Sequence, residues 1–269
     1  MEELIQKLMQ LKLKAMSEQL ESVFNEGKKN NEGFLQLLHQ LIDIELEVRW
    51  QKSTEYRFKQ SGLDEKLTID MFDFNYHPSR KKVKTALLDL LELKFIDEKT
   101  NLVFFGNSGT GKTFLAKVIA YKACLANYRV LFTTAMDMIN QLIAAKSDNS
   151  LAKKLLFYTK PDLLCCDELG YLTLDEQCSN LFFQVISSRY KKNSTLITAN
   201  RVFTDWGKVL YNTTIATAIA DRIVENSEIF IIEGRSYRLK RKKDSLQISS
   251  EEPKKEKKDQ EDTEDEDKK

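Results

Sequence analysis

The chain is 269 residues long and 42% hydrophobic, and its formal net charge of +1 conceals a division: residues 1–243 carry 36 basic and 30 acidic groups, residues 244–269 carry 6 and 11. That length suffices for a substantial core, in one large domain or two smaller ones, and no run of about 18 apolar residues offers a membrane span. The N-terminus lacks the apolar core of a secretory leader, and four cysteines without C-x-x-C spacing predict buried free thiols in a reducing cytoplasm rather than disulfides or a zinc site.

Residues 1–25 read as a helix, with Leu4, Leu8, Leu11 and Ala15 on one stripe and Met16, Leu20 and Val23 continuing it after a small phase shift. Gly27-Lys28-Lys29-Asn30-Asn31 is expected to break it. A second helix follows, its seam formed by Phe34, Leu37, Leu41, Ile44 and Val48. At its exit, Arg49, Trp50, Lys52, Tyr56, Arg57, Phe58 and Lys59 interleave bases with aromatics. Such a composition can grip phosphates and stack on bases. The alternative is a solvated helix end with its aromatics turned inward. Residues 61–82 look like a linker, with Gly62, the cluster Phe72-Asp73-Phe74-Asn75-Tyr76, Pro78, and the bases Arg80, Lys81 and Lys82. Val83 to Phe95 is helical by pattern.

The stretch Gly106-Asn107-Ser108-Gly109-Thr110-Gly111-Lys112-Thr113 fits G-x-x-x-x-G-K-[ST]. In that pattern a glycine-rich turn presents backbone N–H groups to phosphate oxygens. Lys112 would place its ammonium between the β- and γ-phosphates, and the Thr113 hydroxyl would ligate Mg²⁺. The flanks suit the motif. Leu102 to Phe105 is an apolar run expected of a buried parallel strand, and Phe114, Leu115, Val118, Ile119 and Cys124 keep helical spacing behind the loop. That helix would point its positive end at the phosphates.

From here the rhythm is strand, helix, strand. Strands are expected at Arg129–Thr133, Leu163–Glu168, Thr195–Thr198 and Glu228–Ile232, and helices at Met136–Ala145, Glu176–Tyr190 and, with interruptions, Asp205–Val224. Alternation of this kind implies an α/β fold, a parallel sheet with right-handed crossovers and helices on both faces. Ligands then bind at the carboxyl ends of the strands, where the loop, Asp167-Glu168 and Asn200 all fall. Lys240-Arg241-Lys242-Lys243 opens a tail almost without apolar residues, expected to be disordered.

The acids suit ATP hydrolysis. A rigid buried strand holds its terminal carboxylates still, so Asp167 would orient Mg²⁺ and Glu168 would polarise the attacking water. Asn200 could hydrogen-bond that water or the γ-phosphate. Arg222, on the helix before the last strand, could reach a neighbour's γ-phosphate in trans, or pair with Asp221 or Glu225 on the surface.

Six stretches carry a family resemblance: Leu11–Leu20, Phe72-Asp73-Phe74, Gly106–Thr113, Pro161–Asp175, Ser188-Arg189-Tyr190 and Gly234–Arg238. On these the chain resembles the AAA+ ATPases of the DnaC/IstB group, most closely the IstB-like transposition helpers encoded beside a transposase in insertion sequences. The loop is generic; Asp167 to Asp175 is far more specific to the group. Cys165-Cys166 replaces the usual aliphatic pair, and the charged tail is an extension.

The resemblance implies an AAA+ P-loop NTPase using ATP and Mg²⁺; the five strands read above fit its parallel sheet, and because the chain stops soon after the fifth strand no C-terminal lid is expected. Its expected layout is a helical N-terminal domain over 1–65 for DNA or partner binding, a linker and lead-in helix over 66–100, an ATPase core over 101–239 and the tail over 240–269. It implies a homo-oligomer that assembles with ATP on double-stranded DNA, with little sequence specificity, and assists its transposase. Asn200 matches the sensor position, Arg222 the interfacial arginine (Arg189 has a rival claim), and Phe72 and Phe74 the segment near the base. Arg49, Lys52, Arg57 and Lys59 are the candidate DNA contacts. A DnaC-like helicase loader is the alternative. A small-molecule kinase on the same loop would need a substrate pocket and gain nothing from Asn200 or an interfacial arginine.

Overall fold

The computed structural model describes residues 1–170 and 173–238. The tail expected to be disordered, with Lys240–Lys243, lies outside the described residues, as do Tyr171 and Leu172 of the family stretch.

The first expected helix is two. Helices α1 (Glu2–Gln10) and α2 (Lys14–Asn30) are separated where Lys12 takes a left-handed φ of 60°. This break resolves the phase shift: it lets Leu8 and Met16, Leu20 and Val23 converge on Leu37 and Leu41 of α3 (Phe34–Gln60). Gly27 does not end α2. It lies buried within that helix, where an added Cβ would come 2.2 Å from Leu37 Cδ2, so the glycine permits a close crossing. The helix stops instead at Asn31, a left-handed cap with φ 52°. Glu45 ties α3 to α2, accepting from Met16 N–H at 3.1 Å and from Arg49 Nε, on its own helix, at 2.7 Å.

Helix α3 runs on through the basic-aromatic stretch to Gln60 and meets the α/β portion, with Phe58 edge-on to Tyr121 at 5.7 Å. The linker folds into short pieces: a 3₁₀ turn at Ile69–Met71, α4 (Pro78–Lys82), α5 (Lys84–Asp89), a 3₁₀ turn at Leu90–Glu92 and α6 (Lys94–Asp97). The continuous helix expected over Val83–Phe95 is therefore broken, with Leu93 at φ 62°. Leu87, Leu90, Leu93, Phe95 and Ile96 all bury in one cluster, and a straight helix cannot turn positions so spaced to one side.

Strands β1 (Asn101–Phe105), β2 (Val130–Thr134), β3 (Leu163–Leu169), β4 (Ser194–Ala199) and β5 (Ser227–Ile231) form one parallel sheet in the order β2-β3-β4-β1-β5. Helices α7 (Lys112–Leu125), α8 (Ala135–Ser147), α9 (Leu151–Thr159), α10 (Glu176–Arg189) and α11 (Thr213–Val224) supply the crossovers, and α9 was not anticipated. The stretch before α11 is a 3₁₀ turn, Phe203–Lys208, and Asn212 caps α11 by accepting from Ile215 N–H at 2.9 Å. Successive strand residues face opposite sides, and two cores follow: Val103, Phe105, Cys166 and Ile197 enter one, Leu102, Phe104, Cys165 and Leu196 the other. Cys165 and Cys166 are fully buried small apolar residues, one per face. Among the described residues no helix is long and apolar enough to cross a membrane.

Candidate nucleotide-binding site

The loop leaves β1 and enters α7 at Lys112. Gly111, at φ 105°, is the residue before the helix, and a Cβ there would sit 2.7 Å from the Phe72 ring. Both the left-handed backbone and the contact exclude a side chain. Lys112 is buried, and its Nζ donates to the carbonyls of Gly106 at 2.7 Å and Asn107 at 2.9 Å. Burial pulls its ammonium below the usual lysine range, with Asp167 opposing that shift. Thr110 Oγ1 donates to Asn107 O at 3.0 Å, bracing the turn from within.

Asp167, near the end of β3, is buried and accepts from Thr113 Oγ1 at 3.0 Å and from Thr198 Oγ1. Glu168 is exposed, takes a left-handed φ of 63°, and donates its N–H to Thr198 Oγ1 at 3.0 Å. Loop threonine and strand aspartate are thus already joined, and the exposed Glu168 adjoins them. Among the described residues no group of three or more His, Cys, Asp or Glu could hold a metal. A divalent ion here would rest on Thr113, Asp167 and the phosphates themselves, which suits Mg²⁺ with its retained waters.

These groups open into a cleft of about 460 Å³ lined by Phe72, Arg80, Lys112, Thr113, Glu168, Thr198, Tyr237 and Arg238 among others. Its size matches a small-molecule site. A more open groove of about 830 Å³ beside α10 contains neither the loop nor the acid pair. Phe72 forms a wall, edge-on to Phe74 at 4.9 Å and tilted against Phe114 at 5.7 Å; Phe74 supports it from behind and does not line the cleft.

Arg80, read from sequence as one base in a linker, is 2% exposed. It donates to Asp73 O at 2.9 Å and Thr110 O at 2.7 Å, and its guanidinium lies 4.4, 4.9 and 5.4 Å from the rings of Phe72, Tyr76 and Tyr237. The segment Gly234–Arg238 closes on the loop: Tyr237 N–H donates to Gly109 O at 2.9 Å and Tyr76 Oη to Ser236 O at 3.2 Å. Arg80, Tyr237, Arg238 and Thr198 were missed as site residues. The aromatic cluster was the local signal for Arg80, and the family stretch Gly234–Arg238 the signal for Tyr237 and Arg238; Thr198 had none.

Asn200 sits past the end of β4 against Gly170, with its Oδ1 buried and without a hydrogen-bond partner among the described residues. It does not line the cleft; Thr198 does. Arg222 lies on the last turn of α11, near the start of β5 and so at the opposite end of the strands from the loop. It donates to Ala218 O at 2.7 Å and stacks over Phe183 at 4.8 Å. The expected surface alternative fails for Glu225, which accepts from Tyr190 and Lys191 instead. Arg189 is 1% exposed and spends its guanidinium on the carbonyls of Tyr158, Thr159, Pro161 and Ser194 and on Thr195 Oγ1. So committed, it cannot reach a neighbouring subunit.

The basic stretch of α3 keeps Trp50 and Tyr56 outside, 52% and 58% exposed, so only Phe58 turns inward. Arg49 is tied to Glu45 and to Lys12 O, Arg57 to Asn127 Oδ1 at 3.0 Å and Lys59 to Glu55 at 2.9 Å, while Lys52 is exposed.

The family model described as IstB-like ATP binding protein matches residues 6–245. The ATP-binding protein of insertion sequence IS5376 from Geobacillus stearothermophilus is 37% identical over 233 residues, 87% of this chain and 92% of its own length. That of insertion sequence IS21 from Pseudomonas aeruginosa is 35% identical over 245 residues, 90% of this chain and 91% of its own. Among solved structures, AMPPCP-bound DnaA from Aquifex aeolicus aligns with a TM-score of 0.55 at 21% identity, over 72% of this chain and 59% of that one. The DnaC helicase loader aligns with a TM-score of 0.53 at 20% identity, over 61% and 96%. These structural likenesses establish the AAA+ P-loop fold.

Proposed function

The chain belongs to the IstB-like ATP-binding protein family, and from that premise we propose that it is a Mg²⁺-dependent ATPase that assembles on double-stranded DNA and assists the transposase of an insertion sequence. One observation carries the hydrolytic reading: Thr113 and Asp167 are hydrogen-bonded at 3.0 Å, and the exposed Glu168 adjoins them in a cleft walled by the phosphate loop. Bound ATP with Mg²⁺ would supply an activated γ-phosphoryl group to this arrangement. Thr113 and Asp167 would hold the ion, and Lys112 would exchange the carbonyls of Gly106 and Asn107 for phosphate oxygens. Glu168 would take up the proton side of an attacking water. Phe72 would flank the base.

The remaining roles follow from position. Arg222 lies far from its own loop, and in a ring or helix of subunits that end of the sheet would meet the next protomer's cleft. Residues 1–65 would carry contacts to DNA or partner, with Lys52, Trp50 and Tyr56 presented outward and Arg49, Arg57 and Lys59 beside them. Few contacts per subunit mean that affinity would come from many aligned copies. The insertion-sequence setting of the relatives supports transposase as the partner rather than a replicative helicase. The deciding experiment is ATPase rate against duplex DNA concentration, with particle size measured with and without ATP. DNA-stimulated hydrolysis with ATP-dependent assembly is expected. Hydrolysis indifferent to DNA by a monomer would overturn the reading.

A further inference from the structure

Strands β3 and β4 pair in regular parallel register as far as Cys166 opposite Ile197, and pairing resumes with Leu169 opposite Ala199. Between those points β3 has two residues, Asp167 and Glu168, and β4 has one, Thr198. This is the two-against-one count of a bulge. The bulge puts Glu168 at φ 63° and lifts its carboxylate out of the strand's alternation into the cleft. It also removes the Glu168 N–H from the backbone ladder, and a part-buried N–H at the cleft floor needs another acceptor.

Thr198 provides it. The residue is 1% exposed, and its single hydroxyl accepts from Glu168 N–H at 3.0 Å while donating to Asp167 Oδ1. A threonine hydroxyl has one proton, and that proton is committed to Asp167. The polarity of the pair of bonds is therefore fixed, and the same oxygen sets the orientation of one acid and the backbone of the other. A strand core would accept valine at this place for its shape alone, so packing does not require a hydroxyl here. We propose that Thr198 is the positioning residue that holds Asp167 and Glu168 in working register. This rests on the proposed Mg²⁺-dependent hydrolysis in the same cleft, and it goes beyond it in assigning a residue that touches neither the ion nor the attacking water.

The test compares Thr198→Val, which keeps the shape and loses both bonds, with Thr198→Ser, which keeps both. Each full-length protein is titrated with a fluorescent ATP analogue, with and without Mg²⁺, and its kcat and KM are measured on saturating duplex DNA. T198V is expected to bind the analogue normally without Mg²⁺, to lose most of the tightening that Mg²⁺ brings, and to fall in kcat by about 100-fold, the scale of a misplaced catalytic group. Its KM should stay within about threefold, and T198S should retain kcat within about threefold. If T198V does not fold, Thr198→Ala against T198S isolates the hydroxyl in the same way. A T198V or T198A protein hydrolysing within about twofold of wild type overturns the proposal. So does a T198S protein as impaired as T198V, which would assign the role to the methyl group. Should the wild type itself fail to hydrolyse ATP, the parent reading falls, and the Mg²⁺-dependent tightening alone decides: unchanged in T198V, it removes the link to Asp167.

Discussion

Replacing Glu168 by Gln separates binding from chemistry with little disturbance to the fold. The side chain is exposed, and its backbone N–H bond to Thr198 does not involve the carboxylate. The left-handed φ belongs to the bulge and persists in the variant. A surface substitution of this kind shifts stability by no more than about 0.5 kcal/mol. The Thr113–Asp167 bond and the Lys112 contacts are untouched, so affinity for ATP and Mg²⁺ should be unchanged. What disappears is the proton acceptor proposed for the attacking water. Loss of a general base costs about 10²–10⁴ in rate, or about 2.7–5.4 kcal/mol at 1.36 kcal/mol per tenfold. The assay is single-turnover phosphate release on duplex DNA, beside a binding titration with a fluorescent analogue. A shorter carboxylate, Glu168→Asp, should fall between the two, because it retracts the acceptor without removing it. E168Q should accumulate as an ATP-bound assembly on DNA. A rate within about twofold of wild type would remove Glu168 from the reaction and leave the bulge at its position without a catalytic purpose.

Further expectations concern other parts of the molecule. Lys112→Ala should lose at least about 100-fold in ATP affinity by calorimetry, since charge-assisted bonds contribute about 1.5–3 kcal/mol each; wild-type affinity would dismiss the loop as the phosphate site. Arg222→Ala should bind nucleotide normally yet lose cooperative DNA binding and hydrolysis together, while wild-type DNA binding should weaken steeply with salt as counterions are released. Arg189→Met removes a donor from the carbonyls of Tyr158, Thr159, Pro161 and Ser194, of which Thr159 O keeps Asn193 Nδ2, and should cost about 3–5 kcal/mol in a urea titration, with no separate effect on assembly. Burial pushes the thiols of Cys124 and Cys178 up to about 11, with the Asp175 carboxylate adding to the rise at Cys178. At pH 8 the native thiolates are therefore scarcer than in the unfolded chain by roughly two orders of magnitude, and alkylation should be slower by that factor. Equal labelling of native and urea-unfolded protein would contradict the packing around both residues.

What could be read from sequence was what neighbours along the chain specify. The loop Gly106–Thr113 is contiguous, so its glycines, lysine and threonine announce one backbone shape and one ligand class together. The apolar run before Asp167 and Glu168 marks a buried strand, and a parallel sheet then gathers every strand's carboxyl end at one edge. The two-sided core and the meeting of loop and acids follow from that alternation, whereas the strand order β2-β3-β4-β1-β5 does not. Helix ends were read less well because their causes are remote. Gly27 looks like a breaker until Leu37 lies across it, and Val83–Phe95 looks like one helix until its apolar residues must all reach the same core.

Tertiary structure alone decided which scattered side chains join the site. Arg80 reads as one of three bases after a proline, yet it is buried between rings from two segments, and Tyr76 reaches Ser236 across 160 positions. Arg222 was the preferred interfacial candidate by resemblance and Arg189 its rival, and burial separates them: Arg189 is saturated by carbonyls, while Arg222 is stacked on Phe183 in the last turn of its helix. Thr198 gave no local sign, since a threonine in a strand suits β geometry whatever it touches. Its importance comes from an extra residue in the facing strand, and a bulge is a relation between two strands. No pattern within either one encodes it, because the hydrogen bonds that define it form only when the two segments, 31 positions apart, are laid side by side.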